Sequence, residues 1–173
     1  MNLQQYRQTR GQTGFTLIEL MLVVLLLGLM ASITMPLISG FEPDRINASA
    51  RRLSGTVKYL YNEAAMTGLE HRLTFDLTND AYRAAKINAA GELQPLQGVG
   101  AKKLLSPGVR FASVYQPQRG ERSDGEVTTA LLPGGWLEET IIHLQDDKEH
   151  KLTLRLVPLT GLTEIYAGYR DFR

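Results

Sequence analysis

The residues that could carry out chemistry are few and scattered in this chain of 173 residues. The three histidines, His71, His143 and His150, match neither an HExxH motif nor another zinc-binding spacing. The chain has no cysteine, which excludes disulfides, thiolate metal sites and thiol nucleophiles. It also lacks a G-x-S-x-G elbow, a Walker loop and a G-x-G-x-x-G loop. The sequence therefore predicts a protein that is not an enzyme and uses no cofactor.

One acidic cluster and one glycine pair remain as candidates for ligand binding. Asp146, Asp147 and Glu149 could bind Ca²⁺, although a turn so rich in charge is more often a solvated loop. Gly98 and Gly100 precede two lysines, but they lack the strand-to-helix context of a phosphate-binding loop. Nineteen basic and eighteen acidic residues give a net charge of +1, which offers no whole-chain basis for nucleic-acid binding. We expect no metal site.

The most unusual ionisable residue is Glu19, which stands at the front of a long apolar segment. The nineteen residues from Leu20 to Ile38 carry no charge, and a helix of that length spans about 28 Å, close to a bilayer core. The segment is apolar on every side, which disfavours a helix buried in a small domain. Arg7 and Arg10 precede it without any acidic residue, so the positive-inside rule keeps the N-terminus in the cytoplasm. The sequence predicts a membrane span with the rest of the chain across the membrane.

The residues around Glu19 form a motif, Gly14-Phe15-Thr16-Leu17-Ile18-Glu19-Leu20, behind a short basic leader. This motif resembles the class III signal of type IV pilins and type II secretion pseudopilins. The resemblance implies that a prepilin peptidase removes residues 1–14 by cutting between Gly14 and Phe15, and then methylates the new amine of Phe15. Glycine suits the cut because it has no side chain to obstruct a narrow cleft. Cleavage there leaves the predicted transmembrane helix, residues 15–39, in the mature protein.

The same resemblance implies roles for Glu19 and Pro36. In such families the carboxylate at this position meets the N-terminal amine of a neighbouring subunit as the filament forms, which replaces an unpaired group in lipid with a charge-assisted pair. The alternative is a glutamate that merely reaches the lipid headgroups. Pro36 resembles the proline of pilin stems and is expected to kink the helix, because it lacks an N–H and its ring clashes with the preceding turn.

The rest of the chain predicts an α+β domain. Asp44 is a good N-cap for an amphipathic helix that continues the stem over residues 40–68. Alternating apolar residues then predict a hairpin near residues 73–82 and strands at 109–115, 127–132, 140–144, 152–157 and 162–169. Short connections favour antiparallel pairing. We expect a long N-terminal helix, with a transmembrane and an amphipathic part, packed on a mostly antiparallel β-sheet domain over residues 69–173.

The helix-to-strand region, Ala50-Arg51-Arg52-Leu53 through Gly68 to Arg72-Leu73-Thr74-Phe75-Asp76, resembles the GspH/FimT family of minor pseudopilins and minor pilins. This resemblance implies a structural subunit at or near the tip of a type II secretion pseudopilus, anchored in the bacterial inner membrane with a periplasmic domain. Its implied partners are the prepilin peptidase, other major and minor pseudopilins, the inner-membrane assembly platform and secreted cargo. The alternative is a minor type IV pilin in pilus assembly or DNA uptake, where Arg170 and Arg173 could contact phosphate.

Overall fold

The computed structural model describes residues 15–39 and 44–172, without the side chains of residues 33–39. The chain divides into two compact units, Met1–Pro43 and Asp44–Arg173. In the first unit, helix α1 spans Leu17–Ser39 and includes Pro36 within its bounds; the kink at this residue stays a prediction. No helix in the described part of the chain combines the length and the hydropathy needed to cross a membrane.

Helix α2, Arg45–Thr67, opens the second unit and has the caps that the sequence predicts. The Asp44 carboxylate accepts a hydrogen bond from the Asn47 N–H at 3.2 Å. At the other end Gly68 adopts a φ of 68° and donates its N–H to the Ala64 carbonyl at 3.1 Å. Because buried residues recur every three or four positions, one face of α2 enters the core. That face consists of Ile46, Ser49, Ala50, Leu53, Thr56, Val57, Leu60 and Ala64.

The described residues of the second unit form eleven strands in two antiparallel sheets. The strands are β1 His71–Asp76, β2 Ala81–Ile87, β3 Leu93–Pro95, β4 Lys103–Leu104, β5 Val109–Gln116, β6 Gly120–Arg122, β7 Glu126–Leu132, β8 Trp136–Leu137, β9 Thr140–Asp146, β10 Lys151–Leu156 and β11 Thr163–Ala167. The first sheet has the order β3-β2-β1-β7-β8, with β4 also paired to β2. The second sheet has the order β11-β10-β9-β5-β6.

The α+β class is confirmed, and the strands divide between two sheets. β7 pairs with β1 in one sheet, whereas β5 pairs with β9 in the other. Both sheets contact α2, so the helix lies against a core built from two layers of strands. Alternation within a strand shows which side chains are buried but not which strand lies beside it, so the sequence pattern does not contain this division. The shortest strands, such as β4 and β8, are too short to show alternation.

Aromatic and polar contacts join the two sheets. Phe75 of β1 and Phe111 of β5 meet edge to face, with ring centroids 5.9 Å apart. The side chain of Gln116, at the end of β5, is buried and donates from Nε2 to the Thr128 carbonyl of β7 at 3.2 Å. The Asp80 carboxylate, in the β1–β2 turn, accepts the Phe111 N–H at 2.8 Å. Burial raises the pKa of Asp80 above its ordinary value despite this hydrogen bond.

Candidate functional site

The predicted processing residues lie in front of helix α1. The leader, residues 1–14 with Gly14, is outside the part of the chain that the structure describes. Phe15 and Thr16 directly precede the helix, and Thr16 Oγ1 accepts a hydrogen bond from the Glu19 N–H at 3.3 Å. A hydroxyl that accepts from the N–H three residues later is in the position of a helix N-cap. Thr16 therefore caps the start of α1, and Phe15 lies in front of that cap.

Glu19 is exposed in the first turn of α1. A negative charge is favourable there because the first N–H groups of a helix have no intrahelical acceptor. The helix from Leu17 to Ser39 contains no basic residue. A cationic partner for this carboxylate must therefore come from outside the helix.

The side chains of α1 give it an apolar surface. Leu17, Leu25 and Met30 are 82%, 70% and 68% exposed, and the other large apolar side chains between Phe15 and Met30 are exposed as well. Ser32 donates its hydroxyl to the Leu29 carbonyl at 2.7 Å, so this polar group is satisfied inside the helix. The described side chains of α1, residues 17–32, therefore present a mostly apolar surface to their surroundings.

The C-terminal segment folds back over the face of the second sheet that lies away from α2. The Tyr169 ring stacks on His143 with centroids 4.1 Å apart, and the Arg170 N–H donates to Thr153 Oγ1 at 3.0 Å. The Arg170 guanidinium lies 4.7 Å from the centre of the Tyr166 ring, a cation–π distance. Arg173 is outside the described residues. A contact of these two arginines with phosphate stays a prediction.

Comparison with known proteins adds evidence at both ends of the chain. The family model for the prokaryotic N-terminal methylation motif matches residues 9–35. The minor pseudopilin EpsH from the type II secretion system of Vibrio cholerae is similar in structure, with a TM-score of 0.60, 14% sequence identity, and coverage of 74% of this chain and 98% of EpsH. The second unit has the minor pseudopilin fold.

Two further solved structures share this fold. Another EpsH structure matches with a TM-score of 0.57 at 15% identity, covering 72% of this chain and 98% of that chain. The solution structure of Escherichia coli GspH matches with a TM-score of 0.52 at 15% identity, covering 77% of this chain and 97% of that chain. No curated protein matches the sequence. At these identities the likeness is one of fold.

Tyr61, which flanks the apolar stripe of α2 and at helical spacing is expected to belong to the core, packs against that core and also bonds to both sheets. Its hydroxyl lies 2.8 Å from the Gly135 carbonyl and 2.6 Å from the Leu159 carbonyl, so it joins α2 to a turn of each sheet. A phenol has one proton, which the two carbonyl oxygens must share. Gly161 packs against the same ring. The glycines in these two turns are visible in the sequence and indicate tight turns. The sequence does not indicate that they contact Tyr61, because both lie far from it in the chain.

The three histidines of the pseudopilin fold occupy separate places. His71, in β1, shares a hydrogen bond of 2.9 Å between Nδ1 and the Leu69 carbonyl, and its buried Nε2 has no hydrogen-bond partner in the described residues. His143, in β9, has its Nδ1 at 3.1 Å from Thr153 Oγ1. Among the side chains that the structure describes, no three His, Asp or Glu residues are grouped in a way that could hold a metal ion.

In the acidic turn between β9 and β10, the first carboxylate, Asp146, forms hydrogen bonds within the turn. Asp146 Oδ1 accepts the N–H groups of Lys148 and His150, each at 2.9 Å, and Oδ2 lies 2.9 Å from His150 Nδ1. Burial by itself raises the pKa of Asp146, but the hydrogen bonds from His150 and Lys148 outweigh it and place the pKa below its ordinary value. Asp146 therefore closes the turn in its ionised form.

Proposed function

We propose that this protein is a minor pseudopilin, a non-catalytic structural subunit at or near the tip of a type II secretion pseudopilus that helps export folded proteins across the outer membrane. The observation that carries the proposal is the presence in one chain of a methylation motif over residues 9–35 and a globular unit with the minor pseudopilin fold. The N-terminus would lie in the cytoplasm and the globular unit in the periplasm, with residues 15–39 as the anchor in the bacterial inner membrane.

Maturation begins at the leader. The prepilin peptidase cuts between Gly14 and Phe15 and methylates the Phe15 amine. Because Thr16 caps α1, the cut bond lies in front of the helix, where the backbone is not committed to helical hydrogen bonds. The mature chain then carries a cation at Phe15 and an anion at Glu19.

Assembly uses these two charges. A carboxylate in the apolar part of a bilayer costs on the order of 2.5–3.5 kcal/mol near the centre and less toward the interface. Pairing Glu19 with the methylated amine of a neighbouring pseudopilin removes that cost, and the apolar sides of both helices pack together. The partners are other pseudopilins of the same system, brought together at the inner-membrane assembly platform.

The decisive experiment replaces Glu19 with alanine in the host secretion system. Glu19→Ala should be processed to methylated Phe15 and should reach wild-type membrane levels, because the substitution removes a charge from an apolar segment. It should fail to co-purify with the other minor pseudopilins and should reduce secretion. Glu92→Ala, at an exposed position near β3, is the matched control and should behave as wild type. Full secretion and normal capture of partners by Glu19→Ala would rule out this assembly role.

A further inference from the structure

The solvent-facing side of α2 carries cations that no carboxylate neutralises. Arg51, Arg52 and Lys58 are exposed and lie within about 10 Å along the helix axis. The only carboxylate inside α2 belongs to Glu63, and it forms no ion pair with them in the part of the chain that the structure describes. By contrast, five arginines of the sheets and their turns each have a carboxylate within 4.0 Å. They are Arg72, Arg83, Arg119, Arg122 and Arg155.

Neutral groups hold two of these cations in place. Arg52 donates a hydrogen bond to Ser106 Oγ, in the loop before β5, and Lys58 Nζ donates to the Thr160 carbonyl at 3.1 Å. Both contacts order the side chain without cancelling its charge, because neither acceptor is ionised. The Arg51 side chain forms no hydrogen bond with a described residue. Ordering two of the three side chains in advance reduces the entropy that an anionic partner must remove when it binds.

Gly55 lies at the centre of the same side of α2 and has no role in the packing of this chain. It follows Arg51 by four residues and precedes Lys58 by three, so the three residues share one row along the helix. A Cβ atom built on Gly55 would have no atom within 4 Å. Glycine in a helix interior is less stable than alanine, and no contact inside this chain compensates. Glycine does provide a low point in the surface, where a second helix can approach closely.

Two apolar side chains extend this surface toward the C-terminal end of α2. Tyr59 and Met66 are 40% and 84% exposed. They follow Arg52 at successive intervals of seven residues, so they form a second row beside that of Gly55. Rows with such spacings fit the ridges and grooves of another helix. We call this surface the basic face of α2; it consists of Arg51, Arg52, Gly55, Lys58, Tyr59 and Met66.

We propose that the basic face of α2 is a docking surface for an acidic α-helix of a different protein. The partner helix would place carboxylates beside the three cations, its closest turn over Gly55, and apolar side chains against Tyr59 and Met66. Opposite charges steer the encounter and fix the register, while the apolar contacts add affinity. This inference goes beyond the proposed function, which assigns assembly contacts to Glu19 and the anchor and gives α2 no partner.

Charge and shape favour this occupant over three others. A second copy that used the same face would bring like charges together, which is unfavourable. Neither described helix offers a row of carboxylates to a second copy, since α1 contains Glu19 alone and α2 contains Glu63 alone. A nucleic acid offers phosphates but no apolar surface along its backbone for Met66, and a net charge of +1 provides no broad positive field. A lipid surface takes up the apolar face of an amphipathic helix, and that face of α2 is buried in the core.

Peptide binding to the full-length protein in detergent tests the face without the host system. The probe is a labelled helical peptide with glutamates along one face of its first half and leucines along the same face of its second half. The control peptide keeps the leucines and the composition but has the glutamates on the opposite face. Fluorescence anisotropy should show at least tenfold tighter binding of the probe, weakened by salt. Arg51→Glu should reduce the affinity at least tenfold, whereas Lys151→Glu, the same charge change at an exposed position of β10, should not.

Gly55→Gln separates docking from folding. Glutamine is a better helix former than glycine and finds open space at this position, so the denaturation midpoint should rise. The same side chain obstructs the close approach of a partner helix, so the affinity for the probe should fall at least tenfold. Absence of probe binding to wild type, or equal affinity for wild type, Arg51→Glu and Gly55→Gln, would overturn the proposal. Duplex DNA that binds as tightly as the probe would overturn the choice of an acidic helix.

A suppressor selection in the host secretion system tests the partner. Arg51→Glu should be processed normally and reach wild-type membrane levels but reduce secretion at least tenfold, whereas Lys151→Glu should secrete as wild type does. Second-site changes that restore secretion should replace an acidic residue with a basic one in a helix of another protein. Suppressors that replace an acidic residue of this chain would overturn the choice of a different protein.

The same assay distinguishes failure of the docking surface from failure of the proposed function. If wild type restores secretion and Arg51→Glu does so equally, docking at the basic face of α2 fails while the proposed function stands. If wild type restores no secretion, the proposed function fails and the peptide result alone judges the basic face.

Discussion

Replacing Gly161 with alanine should destabilise the globular unit through Tyr61. Gly161 has a φ of 62°, and a Cβ atom built on it would lie 2.3, 2.5 and 2.8 Å from the Cγ, Cδ1 and Cβ atoms of Tyr61. These atoms form the base of the side chain, so rotation of the ring does not clear the clash. Either the turn or α2 must move, and movement would weaken the hydrogen bonds from the Tyr61 hydroxyl to Gly135 and Leu159.

The expected cost has two parts. An alanine in the left-handed region costs about 1–2 kcal/mol. Overpacking against a side chain that cannot move away adds about 1–3 kcal/mol. Gly161→Ala should therefore lower the free energy of unfolding by about 2–5 kcal/mol. Gly168→Ala is the matched control, because Gly168 has a φ of 80° with no atom within 4 Å of the added Cβ, so only the backbone cost applies.

Denaturant unfolding of the full-length protein in detergent measures both variants. Trp136 is the only tryptophan, and it lies in β8 beside Gly135, so its fluorescence reports on the turn that Tyr61 contacts. In a double-mutant cycle, Tyr61→Ala should remove most of the steric cost of Gly161→Ala. If Gly161→Ala costs no more than Gly168→Ala, or if the two substitutions in the cycle are additive, Tyr61 packing does not determine the stability of this turn.

Three further predictions follow from separate features of the molecule. A fragment beginning at Asp44 should fold and stay soluble, because the second unit contains its own core. Circular dichroism should show a cooperative thermal unfolding transition, and aggregation or the absence of a transition would contradict this prediction. The hydrogen bond from the Asn79 side chain lowers the pKa of Asp76 in the folded protein. The ionised carboxylate therefore stabilises the fold at pH values above its ordinary pKa near 4, and this stabilisation is lost as the pH falls through the lower pKa of the folded state. In acid unfolding below pH 4, the free energy of unfolding should fall more steeply with pH for wild type than for Asp76→Asn. Parallel falls for the two proteins would show that Asp76 does not contribute this stability. Thr163 Oγ1 is buried without a hydrogen bond in the described residues, so Thr163→Val should be neutral or stabilising by about 1 kcal/mol, and a marked loss in denaturant unfolding would reveal a missed partner.

Helix α2 shows how local features made part of the fold predictable. Its N-cap at Asp44, its apolar spacing and its C-cap at Gly68 all lie within one stretch of sequence, and each stabilises the same helix. The hairpin of β1 and β2 was predictable for the same reason, because its two strands are joined by a short turn. Local order is encoded where the interacting residues are neighbours in the chain.

The division into two sheets could not be predicted in this way. Val127 in β7 lies opposite Phe75, far away in sequence, while Val114 in β5 lies opposite Ile142. Both pairings join strands that are distant in the sequence. An alternating pattern states that a strand has one buried face, and it is compatible with either neighbour.

The functional residues show the same contrast between features that are local in sequence and contacts that are long-range. The sequence by itself determined the motif of Gly14, Phe15 and Glu19, because these residues are neighbours in one stretch of chain and the position of a charge in an apolar segment can be read from that stretch. Only the tertiary structure decided that Tyr61 joins turns of both sheets and that β11 is left with a free edge. Both depend on contacts between residues that are distant in sequence, which only the folded chain brings together.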